Sequence, residues 1–84
     1  IILFKKQEPV RREIADIEKK LEQVEQRSKE IHTFLADPVN YEKKDMMRAV
    51  LEEEPAVSRE LRSLEERWEE LQNQLEEIEQ EMGA

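Results

Sequence analysis

The chain has 84 residues, 43% of them charged and 5% aromatic, and it contains no cysteine. That limits it to one domain without a thick globular core, and it excludes disulfides and thiolate metal sites, so a reducing cytosol is the expected compartment. The net charge of −8 is uneven: residues 1–50 hold 11 Lys/Arg against 10 Asp/Glu, and residues 51–84 hold 3 against 12. Any polyanion contact is therefore expected on the first half or at the turn, and should be salt-sensitive.

The chain opens on Ile1-Ile2-Leu3-Phe4 and not on methionine. Four apolar residues are too few for a signal-peptide core or a membrane span. Residues 1–7 are expected to be a linker from a preceding part of a longer protein, with the apolar end able to pack locally.

Apolar residues then fall at Val10, Ile14, Ile17, Leu21, Val24, Ile31 and Leu35, with Ser28 in one slot. The alternating spacing of four and three is a heptad seam, with Ile14 at a and Ile17 at d. The acid-before-base pairs Glu8–Arg12, Asp16–Lys20 and Glu25–Lys29 each add about 0.2–0.5 kcal/mol to such a helix. Pro38 disfavours helical backbone at Asp37, so a first helix of about residues 8–36 should stop there.

A turn over residues 37–44 follows, with Asn40 or Asp45 as candidate caps for the next helix. The second helix, about residues 45–82, repeats the seam at Met47, Val50, Val57, Leu61, Leu64, Trp68, Leu71, Leu75, Ile78 and Met82, with Glu54 in the missing slot. Pro55 inside it removes the bond to the Leu51 carbonyl at a cost of about 3 kcal/mol. A kink, or a break into about 44–53 and 56–82, is expected.

Neither stripe can be buried alone, so the expected fold is all-α: a two-helix antiparallel coiled-coil hairpin over residues 8–84, monomeric. Folding about residue 39 pairs positions whose numbers sum to about 78. Ile31 then faces Met47, Val24 faces Glu54, Leu21 faces Val57, Ile17 faces Leu61, Ile14 faces Leu64 and Val10 faces Trp68. Leu3 would extend the seam against Leu75.

Catalytic chemistry is not assembled by this inventory. One histidine, His32, and the hydroxyls of Ser28, Thr33, Ser58 and Ser63 suggest no nucleophile with a base and an orienting acid. The single glycine, Gly83, rules out a Gly-rich phosphate loop in this segment. His32 reads as a surface histidine, the doublets Glu65-Glu66, Glu69-Glu70 and Glu76-Glu77 as solvated outer faces, Trp68 as a seam residue, and Met46-Met47 as tip packing.

The turn and second arm follow a specific order: Leu35-Ala36-Asp37-Pro38 with Tyr41, then Glu66-Arg67-Trp68 with Leu71. This resembles the C-terminal coiled-coil domain of ABC-F proteins of the Uup-like kind, soluble twin-cassette ATPases, over roughly Glu13 to Glu77. Asp37, Pro38, Tyr41, Arg67 and Trp68 carry the likeness. The resemblance implies a cytoplasmic bacterial protein whose two ATP-binding cassettes precede Ile1, so that ATP is a cofactor of those cassettes and none belongs to this fragment. It implies action on ribosomes or nucleic acid without transmembrane segments, and a non-catalytic domain that binds DNA or ribosomal RNA. On charge alone, the expected phosphate contacts are Lys19, Lys20, Arg27 and Lys29 on the first arm and Lys43, Lys44 and Arg48 near the turn. The alternative is a structural module that docks on its own ATPase cassettes or mediates dimerisation, with no membrane partner in either case.

Overall fold

The structure is a computed structural model describing residues Ile2–Gly83, with side chains from Lys5 onward. It consists of helix α1 (Ile2–Ala36), a 3-10 turn (Pro38–Glu42) and helix α2 (Lys44–Gly83). The two helices lie antiparallel in a rod of 62 × 16 × 14 Å. Expected packing by Ile1–Phe4, including Leu3 against Leu75, lies outside the described residues.

α1 starts earlier than the heptads suggested and takes in residues expected to be linker. The reason is visible at Gln7, which fills the a slot one heptad before Ile14. It is buried, and its amide donates to Glu79 Oε1 at 3.5 Å, while Lys6 approaches Glu81 at 4.0 Å. The far end of α2 gives the start of α1 something to pack against. Of the three acid–base pairs four apart, Glu8–Arg12 closes at 2.9 Å.

Of the two outcomes expected at Pro55, the break into two helices does not occur: α2 is continuous from Lys44 to Gly83. Pro55 and Leu51 both lie on the exposed side, where water can serve the carbonyl that loses its partner. Pro9 is likewise inside α1 and exposed.

The seam is the predicted one, but its register is one heptad away from the expected pairing. Three ion pairs fix it. Glu13–Arg67 and Arg27–Glu53 join positions whose numbers sum to 80, and Arg11–Glu79 joins positions that sum to 90. In an antiparallel coiled coil these are flanking g–g and e–e pairs, and the seam layers between them sum to 85. Ile14 is thus level with Leu71, Ile17 with Trp68, Val10 with Leu75 and Leu21 with Leu64. The core consists of Ile14, Ile17, Leu71 and Leu75, with Val10, Leu21, Leu64 and Trp68 packed on it. The earlier pairing would have set Leu71, whose relative exposure is 0%, level with the amide of Gln7.

The turn causes the shift. It is a full 3-10 segment that prolongs the line of α1 by about 2 Å per residue instead of reversing the chain at once. The fold point moves from residue 39 to between 42 and 43, and the first turn of α2 stands level with residues 37–41.

Asn40 locks that segment and caps neither helix start. It is buried, and its side-chain amide donates to the Phe34 carbonyl at 2.9 Å, a shorter bond than the 3.3 Å one that carbonyl accepts from the Asp37 N–H at the end of α1. Its backbone N–H donates to the Asp37 carbonyl at 3.0 Å, and its own carbonyl accepts from Lys43 at 3.0 Å. Asp37 caps the 3-10 turn, accepting from the Val39 N–H at 3.1 Å. Helix α2 begins with the Lys43 carbonyl accepting from Met47 at 2.8 Å, so Lys43 holds the cap position and Asp45 lies in the first turn. Asn40→Ala is expected to lower hairpin stability by about 1–2 kcal/mol, read from the denaturation midpoint. A midpoint unchanged within error would refute this role.

Candidate nucleic-acid interface

The expected phosphate contacts other than Arg27 form two groups on the rod. Lys19, Lys20 and Lys29 are exposed along α1, and Lys43, Lys44 and Arg48 are exposed at the tip. None of these six makes an ion pair within 4.0 Å among the described residues. On the straight helix Lys19 and Lys29 are separated by about 15 Å, and Lys29 is roughly 12 Å along the rod from the level of Arg48. In the flanking series that joins Glu13 to Arg67 and Arg27 to Glu53, Lys20 falls opposite Glu60, which weakens it as a phosphate contact.

Arg27 differs from the rest. Its Nε and Nη2 grip Glu53 at 2.6 and 2.5 Å, and its Nη1 reaches Glu30 at 3.1 Å. These bonds, Glu53 first, hold its pKa above the ordinary guanidinium value, and Arg27 in turn holds Glu53 below the ordinary carboxylate value. Arg27 is spent on the hairpin itself. The pair depends on the register, which the sequence reading had one heptad off, so charge counting could not see it. Because the Glu53 pKa is depressed, its contribution is present above the unfolded carboxylate pKa and is lost as pH falls through the lower folded value.

The residues of the family motif divide in the same way. Arg67 binds Glu13 through Nε and Nη2 at 3.1 and 2.8 Å, and Glu70 at 3.0 Å. Glu13, then Glu70, raises its pKa. Trp68 is half-buried in the seam, level with Ile17 and not with Val10 as expected. With Leu21 it floors a groove rimmed by Glu18, Glu22, Glu25 and Glu65. Asp37 and Pro38 shape the turn. Tyr41 alone is left outside, 59% exposed, where it lines a shallow groove with Lys44, Met47, Arg48, Leu51 and Glu52.

One cluster has the residue types of a hydrolytic triad without its geometry. Ser28 Oγ is 3.4 Å from His32 Nδ1, but His32 Nε2 is 4.0 Å from Glu54, beyond hydrogen-bond range. Ser58 also donates to Glu54, at 2.9 Å. The histidine is exposed, and backbone N–H groups in the middle of a helix are already engaged, so no oxyanion site exists there. Ser58 satisfies the half-buried Glu54 carboxylate in its seam slot.

The architecture is that of a helical hairpin with an apolar seam, cation-bearing outer faces and a tip that exposes both cations and apolar side chains. Residues 5–73 match the family model described as the ABC transporter C-terminal domain, and the chain belongs to that family as a non-catalytic helical domain of an ABC protein. No curated protein and no solved structure matches the chain. Among the described residues no helix is long and apolar enough to cross a membrane.

Proposed function

We propose that this hairpin is the C-terminal arm of a Uup-like ABC-F ATPase in the bacterial cytoplasm, and that it binds nucleic acid, either DNA or ribosomal RNA. ATP belongs to the cassettes of that parent protein. The observation that carries the reading is that Lys19, Lys20, Lys29, Lys43, Lys44 and Arg48 are exposed and make no ion pair within 4.0 Å among the described residues, on a rod whose other charges are predominantly acidic. Contact works by release of counterions as lysine and arginine neutralise phosphates, with little reading of base edges.

Duplex DNA binding is expected at about 50 mM salt, with log affinity falling against log salt at a slope no steeper than about −5 for six contacts. A Lys43→Glu/Lys44→Glu/Arg48→Glu variant should flatten the slope by about 3, whereas Arg27→Ala should leave it unchanged. Labelled duplex and structured RNA read by anisotropy provide the measurement. No binding of either at low salt would remove this reading.

A second reading, docking on the protein's own ATPase cassettes or self-association, draws on the apolar side chains exposed at the tip. Sedimentation of the isolated hairpin separates a monomer from a dimer, and charge reversal at the tip would spare docking through apolar contacts.

A further inference from the structure

The tip carries apolar surface that the hairpin does not use. Val39, Tyr41, Met46 and Leu51 are each more than half exposed, and all lie within thirteen residues of the fold point's neighbourhood, residues 39–51. Elsewhere among the described residues large apolar side chains are drawn into the seam, Met82 near the open end excepted. The exposed tyrosine and leucine at the tip add nothing to the core of the rod.

Their arrangement is specific. Asn40 is drawn inward by its bond to the Phe34 carbonyl, which turns the adjacent Tyr41 outward. The ring joins Met47 and Leu51, one helical turn apart on α2, along a shallow groove. Lys44 and Arg48, also one turn apart, stand in the same groove and have no ion-pair partner within 4.0 Å among the described residues. Glu52 also lines the groove, and the apolar atoms, aromatic face and two cations beside it are what a splayed-out base and its flanking phosphates require. A regular duplex hides its base faces and could use only the cations.

Resting on the nucleic-acid reading above, we infer that the tip groove is a single-strand site: an unpaired base stacks on Tyr41 against Met47 and Leu51, with the adjacent phosphates on Lys44 and Arg48. The α1 lysines contact phosphate regardless of strandedness. The hairpin therefore prefers nucleic acid with an exposed single-stranded segment, such as a loop, gap or end, to a continuous duplex. The exposed aromatic face beside the cations favours this occupant over an acidic peptide, which would find the two cations but gain nothing particular from stacking.

The test compares a labelled thymidine oligonucleotide of about 20 residues, longer than a typical single-strand site, with the same oligonucleotide paired to its complement. Both are titrated with the hairpin at about 50 mM salt. The single strand should bind more tightly. Tyr41→Ala should weaken it about tenfold or more while leaving the duplex unaffected, and Tyr41→Phe should restore single-strand binding because the phenyl ring keeps its stacking face. Tyr41 is exposed, so unchanged far-UV circular dichroism establishes that the fold of each variant is intact. Single-strand binding that survives Tyr41→Ala, equal losses on both ligands, or duplex preference by the native chain would each overturn the single-strand site. Absence of binding to both ligands would instead remove the nucleic-acid reading beneath it. Capture of an acidic peptide at the groove, with nucleic-acid binding indifferent to Tyr41, would assign the groove to protein and also overturn the inference.

Discussion

Leu71→Ala is expected to destabilise the hairpin by about 2–5 kcal/mol, enough to remove most of its folded population at moderate temperature. Leu71 is fully buried at the level of Ile14, between the layers made by Ile17 and Trp68 on one side and Val10 and Leu75 on the other. A two-helix rod has no second layer that could collapse into the space a truncated side chain leaves. The loss of transfer energy and the cavity should therefore both be felt. Leu51→Ala removes the same atoms from a side chain that is 54% exposed, and should change stability by no more than about 0.5 kcal/mol. Thermal unfolding followed by circular dichroism compares the two directly. Equal effects would mean that the seam does not run through Leu71, and the register of the hairpin would have to be redrawn.

Pro55→Ala works in the opposite direction, with an expected gain of roughly 1–3 kcal/mol. Proline in the interior of a helix is about 3 kcal/mol worse than alanine, and α2 tolerates it without interruption. Alanine would return an N–H to the Leu51 carbonyl. Little packing would be lost, because Pro55 faces solvent. Part of the gain is offset because alanine leaves the unfolded chain freer than proline does. A higher unfolding temperature with unchanged helical content is the expected result. A lower one would show that Pro55 supplies a contact or a backbone geometry that the tip requires.

These two residues also mark how far the sequence could be read. The seam was legible because its spacing is a property of each helix alone: every core residue, from Val10 to Leu75, occupies an expected a or d slot. The break weighed at Pro55 does not form, because the packing on both sides outweighs its local cost. The pairing of the helices was a longer inference. It depended on the height of the turn, and a 3-10 segment held by Asn40 cannot be distinguished from a tight reversal by composition. One heptad of error then carried into the candidate site. Arg27 counted as a free cation because its partner Glu53 becomes its neighbour only in the true register. Gln7 escaped notice because a glutamine at a does not register as part of an apolar pattern. Tyr41 was visible as a motif residue, but its outward direction follows from Asn40 being held inward.

Repeating seams match themselves whenever one helix slides past the other by seven residues, so hydrophobic burial alone leaves several alignments close in energy. The flanking charges break that degeneracy. In the observed alignment Glu13 meets Arg67, Arg27 meets Glu53, and Lys20 falls opposite Glu60 in the same flanking series. Sliding by one heptad toward a shorter turn would set Glu13 against Glu60 and Lys6 against Arg67, while Arg27 would face Met46. Each exposed pair is worth only about 0.2–1 kcal/mol, too little to hold the rod together. Their joint effect is to act as a vernier, selecting one reading among scale marks that the apolar residues make nearly identical.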